Sequence, residues 1–164
     1  MTWCRIERAG RPVFGLIEGA DIALLDAPPW GDHRRTGERV ALAEAKLLPP
    51  VEPPNFYAAG LNFAAHIEWC NGHHGTKFGV PKQADIGYRS PNALVGSGGD
   101  IVVPKDSTGS LEFEGELVAV IGRRAKNLSE DEALSCVAGY TLGNDISERG
   151  WQFSDRTLWR AKNA

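Results

Sequence analysis

The pattern of hydrophobic and polar residues divides the chain into short segments and shows no long periodic run. Residues 2–8, 12–17 and 21–25 are short segments that each contain several apolar residues, and glycine-containing turns separate them. This pattern is typical of strands joined by tight reversals. The first region therefore predicts a small antiparallel β-meander.

A proline-rich segment follows the meander. Residues 47–55, LLPPVEPPN, contain four prolines among nine residues. Because proline lacks an amide donor and fixes its own φ angle, this segment is neither a helix interior nor a central strand, and it is typical of a stiff linker. We therefore predict a small N-terminal β domain with its linker at residues 1–50 and a second domain at residues 51–164.

The region after the linker alternates short ordered segments with loops. Residues 55–61 predict a strand, and residues 62–71 predict a helix that the following glycines would end. Residues 72–87 contain several glycines and charged residues of both signs. They predict a long loop of the kind that often closes over a site. Order is expected to resume at residues 88–95 and in a strand at residues 101–103.

The most informative stretch is LEFEGELVAVIGRR, residues 111–124. It predicts one strand in which Glu112, Glu114 and Glu116 share a face, because successive side chains of a strand point to opposite faces. The continuous apolar run at residues 117–121 predicts burial on both faces. Carboxylates roughly 7 Å apart repel one another. The pattern therefore leaves two alternatives: a solvated acidic strand end, or a site for a hard divalent cation.

The C-terminal region adds one clear helix and one further strand. Ser129 and Glu132 form a capping box that predicts a helix over residues 130–137. Residues 140–144 then predict a strand that ends at Asp145.

The predicted elements define the fold class. Gly139 is expected to end the helix, and residues 147–153 are expected to form a helical turn. Many short strands with few helices predict a mixed α+β fold that is mostly β, not a doubly wound sheet.

Composition narrows the possible function. The chain has 164 residues, a net charge of −3 and a pI near 5.8, so it lacks the basic surface of a nucleic-acid-binding protein. We find no signal peptide and no apolar run long enough to span a membrane. The three cysteines, Cys4, Cys70 and Cys136, are far apart, which favours neither a disulfide framework nor a zinc knuckle. A cytoplasmic location is the simplest expectation.

Several separated blocks together resemble the fumarylacetoacetate hydrolase family. They are GLNFAAH at residues 60–66, FEGELVAVIGR at 113–123, SEDEALSCVAGYTLGNDISERGWQ at 129–152, and the closing WRAKNA. The meander and its linker resemble the small leading domain of many bacterial members. The resemblance implies a core of the β-roll or β-sandwich-like type. Members of the family continue well past the closing block, so a C-terminally truncated member is expected.

The resemblance also implies a metal site. The family pattern places a divalent cation on residues matching Glu114, Glu116 and Asp145, with Mg²⁺ or Mn²⁺ favoured and Ca²⁺ possible for an oxygen-only site. The remaining positions suit a 2-oxo acid or 1,3-diketone, whose polarised carbonyl would favour an enolate. Glu112 is expected to be a neighbour of this site or an exposed residue rather than a ligand.

Four further residues match family positions around the substrate. Lys162 would hold or polarise a substrate oxygen, or it is a terminal lysine without a role. Arg149 and Gln152 would face the substrate, or Arg149 only neutralises carboxylates and Gln152 only caps a turn. Arg89 stands where many members have lysine, and its guanidinium is suited to binding a substrate carboxylate rather than to proton transfer.

The match at His66 is incomplete. Hydrolytic members have a glutamate three residues after this histidine to support it as the base for water, and here that residue is Trp69. Glu68, two residues away, is kept as a candidate catalytic residue, but it cannot simply replace that glutamate, because positions i and i+2 of a helix do not share a face. His66 remains a candidate base, His73 and His74 are substitutes, and packing alone is the alternative.

The sequence thus predicts a metal-dependent hydrolase, lyase or isomerase of small 2-oxo or β-diketo acids. Its reaction would be C–C bond hydrolysis, decarboxylation or keto–enol isomerisation, with a place in aromatic compound catabolism. The expected partners are the small substrate and a second copy in a homodimer, with no nucleic acid and no membrane. The alternative is a truncated, catalytically inactive homologue that retains metal binding or an interaction role.

Overall fold

The computed structural model describes residues 1–163, so Ala164, the last residue of the predicted second domain, lies outside the described residues. The chain divides into two compact units. The first comprises Met1–Glu52, Leu94–Val103 and Phe113–Asp145. The second comprises Pro53–Ala93, Pro104–Glu112 and the chain from Ile146 onwards. The domain boundary predicted at residue 50 stays a prediction.

The first unit contains a five-stranded antiparallel sheet with the order β4-β3-β2-β1-β5. Its strands are β1 (Trp3–Arg8), β2 (Arg11–Glu18), β3 (Asp21–Leu25), β4 (Arg35–Ala41) and β5 (Lys46–Leu47). The three-stranded meander is therefore confirmed. The sequence did not reveal β4, in which only the last two residues are even half-buried, or β5, in which Leu47 pairs with Ile6. The start of the proline-rich segment is thus part of the sheet.

One face of this sheet carries the hydrophobic core cluster of the first unit. Cys4, Ile6, Ile22 and Leu24 are buried in a single cluster. A side chain at Gly15 would collide with this cluster, because its Cβ would lie 2.3 Å from Cγ2 of Ile22. Glycine at this position therefore lets β2 and β3 pack closely.

A second strand pair in the first unit, here called the ribbon, consists of β9 (Gly115–Ile121) and β10 (Val137–Asn144). Its side chains alternate: Val120 is 5% exposed, whereas Leu117 is 72% exposed and Leu142 is 85% exposed. The prediction that residues 117–121 are buried on both faces is therefore wrong. Among the described residues, no second layer covers the outer face of the ribbon.

The chain segment that connects β9 to β10 contains the helix α2 (Glu130–Ala133), and its predicted capping box is present. The helix is shorter than predicted, because a 3₁₀ turn at Leu134–Cys136 leads directly into β10. Gly139 lies within β10 at an irregularity of the strand register rather than at a helix end. The strand predicted at residues 101–103 is absent from the described chain.

The second unit is built from short elements. Two strand pairs, β6 with β7 and β8 with β11, accompany three helices. The elements are β6 (Phe56–Ala59), α1 (Ala64–His74), β7 (Ile86–Arg89), β8 (Leu111–Glu112), β11 (Ser147–Glu148), α3 (Arg149–Gln152) and α4 (Trp159–Asn163). Helix α1 continues through Gly72 and ends at Gly75, which has a positive φ of 64°. The predicted acidic strand is interrupted, since β8 and β9 are separate elements on either side of Phe113 and Glu114.

The fold is mostly β with few helices, as the sequence predicted. No helix in the described part of the chain is long and apolar enough to cross a membrane.

Candidate metal centre and substrate residues

Three carboxylates of the first unit converge at one end of the ribbon. They belong to Glu114, Glu116 and Asp145, and one oxygen of each lies within 4.8 Å of the others. All three residues are half-buried. The residues that the sequence proposed as metal ligands are thus brought together.

The backbone of the ribbon explains this convergence. Glu116 pairs with Gly143 in the strand register. Beyond the last strand pair, the amide of Asp145 donates to the carbonyl oxygen of Glu114 over 2.9 Å, and the amide of Glu114 donates to Oδ1 of Asn144 over 3.1 Å. The hydrogen-bond ladder therefore extends past β10 and places Asp145 opposite Glu114.

The donor set fits a hard divalent cation. Carboxylate oxygens are the ligands that Mg²⁺, Mn²⁺ and Ca²⁺ prefer. Three carboxylates this close repel one another unless protons or a cation neutralise them. Three side-chain ligands would fill about half of an octahedral shell and leave positions for water or a small oxo acid.

Glu112 does not belong to the carboxylate cluster that contains Glu114 and Glu116. It lies in β8 of the second unit, where it pairs with Ser147. Its Oε2 accepts a hydrogen bond from Nε of Arg149 over 2.9 Å. The three alternating glutamates therefore do not act as one set, because the break between β8 and β9 separates the first from the other two.

Arg149 and Gln152 both lie on α3, and Nη1 of Arg149 donates to Oε1 of Gln152 over 2.8 Å. Together with Glu112, this contact fixes the guanidinium plane. Arg149 thus neutralises the carboxylate of Glu112, which is one of the two roles that the sequence predicted for it. Whether Arg149 and Gln152 also bind substrate stays a prediction.

Glu148, which sequence reasoning missed, anchors the start of α3. It is 1% exposed, and its carboxylate accepts hydrogen bonds from the amide of Trp151 (2.8 Å) and from Oγ1 and the amide of Thr108 (2.6 and 3.1 Å). Desolvation raises the pKa of Glu148, but these hydrogen bonds, with one from Ser107, outweigh it and hold the pKa below its ordinary value. The carboxylate is therefore ionised and ties the turn at residues 107–108 to α3. Its contact with Trp151 is local, but its partners Ser107 and Thr108 are 40 or more residues away in the chain, so no sign of the link between them was present in the sequence.

Lys162 lies on α4 and Arg89 at the end of β7, and one side chain connects these elements. Oδ1 of Asn163 accepts a hydrogen bond from the amide of Ser90 over 2.5 Å. Arg89 is buried, and its Nη1 donates to the carbonyl of Tyr88 over 3.0 Å. The residues proposed to bind substrate oxygens thus come from two elements that are joined within the second unit.

His66 and Glu68 lie on α1, where Ile67 is the only buried residue. Trp69 stacks on His73 with ring centroids 4.8 Å apart and an interplanar angle of 12°, and its ring lies 6.2 Å from that of His66. An aromatic cluster of tryptophan and imidazole rings therefore occupies the position where a hydrolytic glutamate was expected. The roles of His66 and Glu68 stay predictions.

The mostly-β fold and the carboxylate cluster define a class of protein, and comparison with known families identifies it. Residues 55–164 match the family model described as fumarylacetoacetate (FAA) hydrolase C-terminal, and residues 1–50 match the model described as Rv2993c-like, N-terminal. The first match covers more than half of the chain. The chain therefore belongs to the fumarylacetoacetate hydrolase family, which confirms the resemblance.

Known proteins of different activity are similar to this chain. The fumarylacetoacetate hydrolase domain-containing protein 2 homolog of Dictyostelium discoideum is 39% identical over 114 residues, which are 70% of this chain and 35% of that protein. Caffeoylpyruvate hydrolase of Neonothopanus nambi is 40% identical over 99 residues, 58% of this chain and 32% of the relative. The crystal structure of 5-carboxymethyl-2-hydroxymuconate delta-isomerase from Mycobacterium smegmatis has a TM-score of 0.85 and 31% identity, and the match covers 100% of this chain and 62% of that chain.

The chain therefore spans about a third of the length of these two curated relatives and 62% of the solved chain. The family and the fold are shown, whereas the activity of the whole protein is a proposal.

Proposed function

We propose that this chain contains the metal-binding part of a divalent-metal-dependent enzyme that acts on small 2-oxo or β-diketo acids. The reaction would be C–C bond hydrolysis, decarboxylation or keto–enol isomerisation. The observation that supports it most directly is the convergence of the Glu114, Glu116 and Asp145 carboxylates within 4.8 Å. Mg²⁺ or Mn²⁺ is the proposed ion, and a cytoplasmic location and a homodimer remain part of the proposal.

The side chains divide the chemistry between them. When bound, the cation would withdraw electrons from a substrate carbonyl and so favour the enolate. Arg89, with its planar guanidinium, would bind a substrate carboxylate, and Arg149 would assist it. Lys162 would hold a substrate oxygen as a compact positive charge.

Trp69 bears on the choice of reaction. The relatives include a protein named as a hydrolase and a solved structure named as an isomerase. Hydrolysis needs a base for water, and with Trp69 stacked on His73 the helix lacks the carboxylate expected to support His66. Keto–enol isomerisation or decarboxylation asks less of this base, so we favour these two over hydrolysis.

The proposal is tested by calorimetric titration of the 1–164 chain with Mg²⁺ and Mn²⁺, followed by oxalate as a mimic of a planar enolate. We expect metal binding and then metal-dependent oxalate binding. Glu116→Gln should reduce metal affinity by at least about tenfold, because it removes one of three charged ligands. Glu44→Gln, at an exposed position of the same unit, is the matched control and should bind like the parent.

Two outcomes would contradict the proposal. If Glu116→Gln binds Mn²⁺ as tightly as the parent, the metal assignment is wrong. If the folded chain binds metal but neither oxalate nor any of a panel of 2-oxo acids, the alternative of an inactive homologue that retains metal binding takes its place.

A further inference from the structure

Helix α4, which contains Lys162, depends on a side chain outside it. Oδ2 of Asp155 accepts hydrogen bonds from the amides of Arg160 (2.6 Å) and Ala161 (3.2 Å). Oδ1 of the same carboxylate accepts from the amide and the hydroxyl of Thr157 (3.1 and 3.0 Å). A helix of five residues cannot satisfy the amides of its own first turn. Oδ2 of Asp155 therefore satisfies two amides in the first turn of α4, and Oδ1 holds Thr157, two residues before the helix begins.

Asp155 is itself fixed by the chain around it. Its amide donates to the carbonyl of Trp151 over 2.9 Å, and its carbonyl accepts from the amide of Leu158 over 3.1 Å. Leu158 has a positive φ of 56°, which a non-glycine residue adopts only when its surroundings enforce it. Desolvation raises the pKa of Asp155, but the hydrogen bonds from Ala161, Thr157 and Arg160 outweigh it and keep the pKa below its ordinary value. The capping group is therefore a carboxylate rather than a neutral acid.

Three further contacts fix α4 within the second unit. The guanidinium of Arg160 lies 3.9 Å from the ring centroid of Trp151 and pairs with Asp106. At the other end of the helix, Asn163 accepts the amide hydrogen bond of Ser90. These contacts hold the helix against its neighbours, whereas Asp155 stabilises the helical conformation of the first turn of α4. Short helices do not form without such support, because nucleation is costly.

We propose that Asp155 is a positioning residue that orders α4 and thereby sets the place of the Lys162 amine. The amide of Lys162 donates to the carbonyl of Leu158, so the backbone at Lys162 belongs to the turn that Asp155 caps. Only the consequence for substrate binding rests on the proposed function. The ordering of Lys162 is a property of the chain itself.

The first test does not require metal. The lysines of the 1–164 chain are dimethylated with ¹³C formaldehyde, and Lys162 is assigned by its loss in Lys162→Arg. In Asp155→Asn we expect the Lys162 methyl resonance to move and the amides of Arg160 and Ala161 to exchange about tenfold faster. The control Asp100→Asn, at an exposed position of the other unit, should change neither. A folded Asp155→Asn chain with unchanged resonance and exchange would overturn the proposal.

The second test asks whether Asp155 acts through Lys162. In Mn²⁺-loaded protein, Asp155→Asn should weaken oxalate binding about tenfold, as loss of charged hydrogen bonds can. In the Lys162→Met background the same substitution should weaken it less than about twofold, because the group being positioned is gone. Equal weakening in both backgrounds would show that Asp155 does not act through Lys162. If the parent chain binds neither oxalate nor any of the 2-oxo acids, the proposed function fails, and the metal-free test still decides the role of Asp155.

If Asp155→Asn does not fold, Asp155→Ser replaces it in both tests. Serine is also a capping residue, but it presents one oxygen instead of two. It should protect the α4 amides to an intermediate degree. Complete loss of protection together with an unmoved Lys162 resonance would contradict the proposal.

Discussion

The five-stranded sheet and the ribbon belong to the same compact unit but use their apolar residues differently. In the sheet, Ile6 and Ile22 are at most 1% exposed and belong to one core cluster. In the ribbon, Leu117 and Leu142 lie opposite each other in the strand register and are 72% and 85% exposed. Burial of apolar side chains stabilises the sheet, whereas among residues 1–163 the apolar side chains on the outer face of the ribbon are mostly exposed and contribute little stability.

This difference matters because the candidate metal centre lies at the end of the ribbon. Glu116 is one residue from Leu117 and points to the opposite face of β9. The ligand geometry is therefore set by backbone hydrogen bonds and by the inner face around Val120, not by a core on both sides. Large exposed apolar faces mark surfaces that bind another layer or that aggregate.

The largest expected effect tests the contrast directly. Ile22→Ala should lower the free energy of unfolding by about 3 kcal/mol, because it removes buried methyl groups and leaves a cavity. Leu142→Ala, a comparable truncation in the ribbon, should cost less than about 0.5 kcal/mol, since the side chain is already exposed. Urea denaturation of both variants measures this. Equal losses would mean that the outer face of the ribbon is covered in solution.

The outer face can also be examined without unfolding the protein. Leu117→Ser combined with Leu142→Ser should lower the fluorescence of a bound hydrophobic dye about twofold and reduce concentration-dependent association, because it removes the two most exposed aliphatic side chains of the ribbon. Sedimentation velocity measures the association. Val13→Ser, on the core face of the sheet, is the contrasting control and should increase dye binding by loosening the core. Unchanged dye binding in the ribbon variant would show that the dye binds elsewhere.

The sequence revealed those features that are local. The meander follows from apolar segments separated by Gly10 and Gly19, both of which adopt a positive φ in the structure. The capping box of α2 was evident from the spacing of Ser129 and Glu132. The prediction that the ribbon is buried on both faces was wrong, because an apolar sequence does not by itself show whether a second layer covers the strand.

In the candidate site, too, the sequence revealed local features but not contacts between distant residues. Glu114 and Glu116 share a face by their spacing, but only the family resemblance indicated that Asp145 would join them. The link between Glu148 and residues 107–108 could not be found, since these residues are distant in the chain. Asp155 has a local signal that was overlooked: a threonine two residues later, which is typical of a turn closed by an aspartate side chain.

The smallest expected effect concerns the acid sensitivity of the sheet. Glu18, at the end of β2, accepts hydrogen bonds from Arg35 (2.5 Å) and Arg39 (2.9 Å). These bonds hold the pKa of Glu18 below its ordinary value, against a small opposing effect of desolvation. A carboxyl whose pKa is lower in the folded state stabilises the fold above its unfolded pKa, and this stabilisation disappears as the pH falls through the folded pKa. Glu18→Gln should therefore be slightly less stable than the parent at pH 7, by far less than Ile22→Ala.

The difference between the Glu18→Gln variant and the parent should close as the solution is acidified below the ordinary carboxyl range, because the parent then also has a neutral side chain there. Denaturation at a series of pH values measures it, and titrations common to both proteins cancel. Exposed ion pairs are screened by salt, so the difference at pH 7 should also shrink in 1 M NaCl. A difference that is independent of both pH and salt would mean that Glu18 stabilises β2 by packing rather than through its ion pairs.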